Sequence, residues 1–200
     1  MQLVLASGNR GKIKEFKIAF DNEIVGMHEI AGKIDITEDS DTFAGNALKK
    51  ARTVYELCGE NTIVISDDSG ISVPVLGGEP GIRSARYAGE NANDRENLEK
   101  LCDEMKRLNI HRADAYYTAA LAIVCKYGEY VAHGWMYGKV IDTPSGDGGF
   151  GYDPIFIPEG FDRTLGELEE STKVDISHRA KAIELAKPIV KKCITRYSCG

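Results

Sequence analysis

The chain has 200 residues, 42% of them hydrophobic, which suits one compact domain with a sizeable core and needs no covalent staples. Twenty-five Lys and Arg against thirty-one Asp and Glu give a net charge of -6 with no long block of either sign, which disfavours a duplex nucleic-acid surface and leaves room for a small anionic ligand. The five cysteines (Cys58, Cys102, Cys125, Cys193, Cys199) are odd in number and form no C-x-x-C pair, so neither a disulfide framework nor a zinc knuckle is expected.

Gln2 to Ala6 reads as a strand that follows Met1 with no charged leader, and the longest apolar run is only Ala119 to Cys125. Both features predict a cytoplasmic protein with no membrane segment. The strand is followed by Ser7, Gly8, Asn9, Arg10, Gly11 and Lys12, and then by a helix over Ile13 to Phe20 whose Ile13, Phe16 and Phe20 share one face. Strand, glycine loop and helix together can cradle phosphate, because backbone amides and a lysine converge at a helix N-terminus. The spacing is not that of a Walker A loop, and a plain strand-to-helix turn with a surface lysine has the same pattern.

Glu23 to Glu29 reads as a second strand. Asp35, Glu38, Asp39 and Asp41 then precede a helix over Phe43 to Cys58, capped by Asp41 or Thr42 and buried through Phe43, Ala47, Leu48, Ala51, Val54, Tyr55 and Cys58. Four carboxylates exceed what one cap requires, so Glu38 is free to face an acidic pair further on. That pair ends the apolar run Thr62 to Ile65, which reads as a buried strand stopping at Asp67, Asp68, Ser69 and Gly70. Asp, Ser and Gly are ordinary turn formers, but a strand of a parallel sheet that ends on carboxylates also places hard oxygen ligands at the ligand-binding rim.

Ile71 to Val75 reads as a strand and Leu76 to Gly89 as a long turn carrying Arg83 and Arg86. Asn93 or Asp94 caps a helix running to about Leu108. Ala113 to Cys125 and Tyr130 to Trp135 read as an antiparallel hairpin, extended by Met136 to Ile141. A glycine-rich loop over Pro144 to Pro154 holds Phe150 and Tyr152 and leads into a strand over Ile155 to Ile157; aromatic rings on so permissive a backbone suit stacking on a flat ligand, although both could instead fold inward. Lys173 follows an acidic stretch. Ser177 caps the last helix, which buries Ile183, Ala186, Val190 and Tyr197 and is expected to bend at Pro188. His178 and Arg179 fall in its first turn, where cations are disfavoured unless an anion or polar ligand meets them.

These blocks together resemble the inosine triphosphate pyrophosphatase family: Ser7 to Lys12, Asp67 to Gly70, Pro80 to Tyr87, Gly148 to Pro154 and Ser177 to Arg179, in order over nearly the whole chain. Pro74 departs from that pattern, in which an acidic residue is frequent. The resemblance implies an α/β fold, a mixed twisted sheet with flanking helices and two lobes around a central nucleotide-binding cleft, forming one bilobed domain over residues 1–200. It also implies a homodimer that uses Mg2+ to convert ITP, dITP or XTP to the monophosphate and pyrophosphate. Under it Ser7, Gly8, Asn9, Arg10, Gly11 and Lys12 wrap the triphosphate, Glu38 and Asp68 hold the metal, and Asp68 is the base. Ser69, Phe150, Gly151, Tyr152, Asp153, Lys173, His178 and Arg179 line the nucleotide. From the chemistry alone, Asp67 competes with Asp68 for the base role, since one carboxylate does not easily serve as tight ligand and proton acceptor at once. The rival readings are a catalytically silent nucleotide sensor and a metal-dependent phosphatase. The haloacid-dehalogenase version of the latter fails because no second Asp follows two residues after the first.

Overall fold

The structure, a computed structural model, describes residues 1–20, 22–32 and 34–199, with Arg10, Gly11, Ala31 and Cys199 as backbone only. Among the described residues six strands form one sheet: β1 (Gln2–Leu5), β2 (Ile24–Gly26), β3 (Thr62–Ser72), β4 (Arg112–Cys125), β5 (Gly128–Ile141) and β6 (Phe156–Pro158), in the order β2-β1-β3-β4-β5-β6. β1 pairs in parallel with both β2 and β3, whereas β6 pairs antiparallel with β5, so the sheet is mixed, as expected. The helices are α1 (Arg10–Phe20), α2 (Met27–Ala31), α3 (Phe43–Cys58), α4 (Asp94–Arg107), α5 (Glu170–Ile176) and α6 (His178–Cys199).

The chain divides into two compact units. The first comprises Met1–Asp68, Ala119–Gly134 and Lys181–Gly200, and the second Ser69–Thr118 and Trp135–Ala180. In the first unit the alternation of β3 assigns each residue to a layer. Ile63 and Ile65 pack with Ile13 and Phe16 of α1 and with Ile183, Ala186 and Val190 of α6, while Val64 packs with Ala47, Ala51 and Val54 of α3. In the second unit Leu101 and Met105 of α4 join Ile71, Tyr117, Val140, Ile155 and Phe156 in a separate core.

Several elements differ from the sequence reading. β3 is a single strand that runs straight through Asp67, Asp68, Ser69 and Gly70. Ladder pairing overrides the turn-forming composition of that stretch, and what stops there is the neighbour: β1 pairs with β3 only as far as Leu5↔Ile65. The expected strand beyond Gly70 ends at Ser72 and gives way to a 3-10 turn over Pro74–Leu76. The expected strand over Glu23 to Glu29 holds only its first half, because Gly26 caps α2 and its amide donates to Glu29 Oε1 at 3.0 Å. α5 forms where no helix was expected, and α6 continues through Pro188. The α3 cap is Thr42, which accepts from the Gly45 amide at 3.0 Å, and the hairpin of β4 and β5 turns at Lys126 and Tyr127.

Gly70 is fixed by close packing. A Cβ there would collide with Ser84 Oγ and lie 2.6 Å from the Gly81 carbonyl oxygen, and Ser84 Oγ is itself held by the Ile71 amide at 2.9 Å. Gly70→Ala is therefore expected to lower stability by about 1–3 kcal/mol. Equilibrium denaturant unfolding measures this, and an unchanged midpoint would show that the 3-10 segment over Gly81–Arg86 yields freely.

Candidate active site

In the first unit the loop after β1 is short because α1 starts at Arg10, three residues earlier than its apolar face suggested. Asn9 caps it: Asn9 Oδ1 accepts from the Lys12 amide at 3.2 Å, and Ser7 Oγ accepts from the Asn9 amide at 3.1 Å. Lys12 thus sits in the first turn, and its ammonium reaches Asp67 Oδ1 at 3.0 Å. A Cβ at Gly8 would meet nothing within 4 Å, so the glycine there answers neither strain nor crowding from the protein. Arg10 and Gly11 enter only as helix backbone and otherwise lie outside the described residues.

The pleat of β3 sends Asp67 and Asp68 to different partners. Asp67 meets Lys12 on α1, while Ser66 and Asp68 both meet α3: Ser66 Oγ donates to the Ala47 carbonyl at 2.5 Å, and Asp68 Oδ1 lies 3.4 Å from Lys50 Nζ. Lys50 also reaches Glu38 Oε1 at 2.7 Å, so one ammonium joins the two carboxylates expected to hold the metal. Glu38 belongs to a stretch without regular structure. That stretch is tied to α3 by the Ser40 amide donating to Asn46 Oδ1 at 2.9 Å and by Asp39 pairing with Lys49 at 2.6 Å.

Lys50 was not singled out from sequence. The signal available was its i,i+4 relation to Asn46 beside the buried face of α3, a face on which Asn46 is itself completely buried. Burial pushes the Asp68 carboxyl above its ordinary value; Lys50 pulls it back and Glu38 adds to the rise. For Lys50 burial works to lower the pKa, but the carboxylates of Asp68 and Glu38 outweigh it and leave the ammonium more strongly protonated than usual. Asp68 Oδ2 is buried without a hydrogen bond of ordinary geometry. The Asn46 side chain also acts on this carboxylate and lowers its pKa, so Asp68 is incompletely rather than wholly unsatisfied, and an incompletely satisfied buried oxygen suits a further donor or a cation.

This donor set fits magnesium. Among the described residues no group of three or more His, Cys, Asp or Glu gathers to hold an ion. Magnesium commonly uses only one or two carboxylates, taking its remaining oxygens from waters and substrate phosphates. Glu38 and Asp68 supply that number.

The second unit carries the other expected residues in two groups. Ser69 Oγ accepts from Arg179 Nη2 at 3.3 Å, and Ser177 caps α6 by accepting from the Ala180 amide at 2.9 Å, which leaves His178 and Arg179 in the first turn. In the 144–154 loop, Phe150 is 68% exposed, whereas Tyr152 is buried and donates its hydroxyl to the Ser84 carbonyl at 2.8 Å. Two aromatics two residues apart thus have opposite roles in packing. Gly149 and Gly151 both adopt positive φ, which lets the loop fold back so that Asp153 Oδ2 accepts from the Phe150 amide at 3.2 Å. Lys173, on α5, has a mostly buried side chain, pairs with Glu170 at 3.1 Å and acts electrostatically on Asp153.

A mixed α/β sheet with a capped strand-loop-helix turn, lysines of two helices meeting the carboxylates of one strand, and an exposed ring on a glycine loop defines a protein built to handle nucleotides. The Ham1 family model matches residues 3–189, and the chain belongs to the Ham1 family. Among curated relatives, a dITP/XTP pyrophosphatase from a Sulfurovum species is 57% identical over 196 residues, spanning 96% of this chain and 94% of the relative. A dITP/XTP pyrophosphatase from Aliarcobacter butzleri is 56% identical, spanning 96% and 98%. The structure of the Staphylococcus aureus Ham1 protein aligns with a TM-score of 0.88 at 38% identity, covering 96% of this chain and 99% of that one. A Mycobacterium abscessus structure described as a nucleoside-triphosphatase / dITP/XTP pyrophosphatase aligns at 0.79 with 33% identity, covering 94% and 100%.

Burial raises the Asp153 carboxyl from its ordinary 3.8 to about 6, against the Phe150 amide and Lys173, which lower it. Between these values the folded chain binds a proton that the unfolded chain has released. The group's contribution to stability is therefore present at low pH and is lost as pH rises towards 6. Asp153→Asn should remove that slope, so the stability of the variant relative to the parent should increase by on the order of 2–3 kcal/mol from pH 4 to pH 7. Denaturant midpoints across this range test it, and parallel curves would place Asp153 in an ordinary environment.

Proposed function

We propose that this chain is a nucleoside-triphosphate pyrophosphatase that hydrolyses the non-canonical purine nucleotides dITP, ITP and XTP to the monophosphate and pyrophosphate. The observation that carries the chemistry is the charge arrangement on β3, where Lys12 meets Asp67 and Lys50 joins Glu38 to Asp68. Relatives named dITP/XTP pyrophosphatase, more than half identical over nearly the whole chain, support the substrate class.

The residues have separable tasks. The first turn of α1, with Lys12 and the open backbone at Gly8, receives the triphosphate, since amides and cation face an anion there. Glu38 and Asp68 would hold magnesium, which would supply positive charge to the phosphate oxygens. A water adds across the α–β phosphoanhydride and releases a proton. The family resemblance gives its uptake to Asp68; Asp67, which Lys12 engages at 3.0 Å, competes for that role because one carboxylate does not easily serve as metal ligand and proton acceptor at once. In the second unit Phe150 offers an exposed face to the base. His178 and Arg179 offer donors that a 6-oxo group satisfies and a 6-amino group does not. Homodimer formation rests on the family resemblance. A cytoplasmic setting is consistent with the free thiols of Cys58, Cys102, Cys125 and Cys193, and among the described residues no helix is long and apolar enough to cross a membrane.

Pyrophosphate release from a panel of inosine, deoxyinosine, xanthosine, adenosine, guanosine and pyrimidine triphosphates, with magnesium and again with chelator, tests the assignment. Metal-dependent release confined to the inosine and xanthosine members is expected; release of single phosphate, or binding without turnover, would overturn it. Asp68→Asn should lower kcat by about 10²- to 10⁴-fold with an unchanged circular dichroism spectrum. Phe150→Ala should act on KM instead, raising it by roughly 5- to 150-fold, the equivalent of one stacked base.

A further inference from the structure

β4 carries Tyr117, a buried residue of the second unit that packs against His178, one of the residues assigned to the base. Its ring lies face to face with the His178 imidazole, centroids 4.8 Å apart and planes inclined by 13°. Phe156 closes on it edge-on, at 4.8 Å and 65°. Tyr117 and Tyr152, from the loop that displays Phe150, belong to the same core cluster.

A histidine that distinguishes one heterocycle from another must hold its ring plane within about 10–20° of the productive orientation, or its N–H no longer points along the acceptor's lone pair. His178 opens α6, where the helix backbone fixes its Cα and leaves its ring torsions to be settled by packing. The flat face of Tyr117 settles them, and it gains a further attraction if the imidazole is charged. Being buried, Tyr117 need not touch the nucleotide to do this.

We propose that Tyr117 is a positioning residue for base discrimination: its buried ring, stacked on the imidazole, sets the plane of His178. The inference rests on the reading of His178 as a base donor. A purely structural Tyr117 makes a different prediction, because loss of core packing weakens all nucleotides alike.

The test compares kcat/KM for dITP and dATP in the parent protein, Tyr117→Phe, Tyr117→Leu and His178→Ala, together with proton NMR of the His178 ring. His178→Ala and Tyr117→Leu should each reduce the dITP-to-dATP ratio by about tenfold or more, chiefly through KM for dITP. Tyr117→Phe, which keeps the stacked face, should hold the ratio within about threefold. In the parent and in Tyr117→Phe the His178 ring protons should be shifted upfield by the neighbouring ring. A lowered ratio in His178→Ala but not in Tyr117→Leu would overturn the inference. So would unshifted His178 protons in the parent, a result that does not depend on any variant folding. An unchanged ratio in His178→Ala would instead remove the base-donor reading on which the inference stands, and the Tyr117 variants have no part in that outcome.

Discussion

Placing three carboxylates and two lysines along one end of a buried strand is the constraint around which the first unit is arranged. Burying Asp68 uncompensated would cost several kcal/mol, and its carboxyl responds by holding its proton more tightly than an exposed one. Lys50 offsets part of this cost, but it reaches Asp68 at a long 3.4 Å and Glu38 at a closer 2.7 Å, so it satisfies Asp68 only in part. The neighbouring oxygen of Asp68 has no ordinary hydrogen bond. A site left incomplete in this way is poor for stability and well suited to a ligand that brings its own charge. Under the proposed function, nucleotide and cation together would supply what the fold does not.

Around that cluster each helix has an identifiable task. α1 is capped by Asn9 so that its first turn delivers Lys12. α3 contributes Lys50 and also organises Glu38, whose segment has no ladder of its own, through Asn46 and Lys49. The second unit uses the same economy. A buried aromatic, Tyr152, holds the glycine loop to Ser84 while its near neighbour Phe150 faces solvent, and positive φ at Gly149 and Gly151 lets one short loop do both.

The parts legible in the sequence were those where local pattern and tertiary environment agree. α3, α4 and α6 announce themselves by an apolar stripe and a capping residue, and the β4–β5 hairpin by two long apolar arms around Lys126 and Tyr127. Where the two disagree the reading failed. Asp-Asp-Ser-Gly has the composition of a turn, but the ladder carries it through as strand, and no local signal reports a ladder. Lys50 looks like any solvated lysine on a helix until Glu38 and Asp68, twelve and eighteen positions away, are seen to meet it. Phe150 and Tyr152 share one loop and similar chemistry, and only the position of the Ser84 carbonyl separates them. α5 is short, with no buried residue to mark a face.

The run Ile63, Val64, Ile65 is buried on both sides of the sheet, so the strand's apolar part discriminates weakly between alignments. Displaced by one position along β1, it would exchange one branched aliphatic for another at little cost in buried area. The residues that follow are not so tolerant. Ser66 would lose the Ala47 carbonyl, Asp67 would turn towards α3, and Asp68 would be carried to the face of Lys12. The polar atoms beyond Ile65 thus index the strand, and the groups proposed for chemistry are the same ones that tell β3 where to stop sliding.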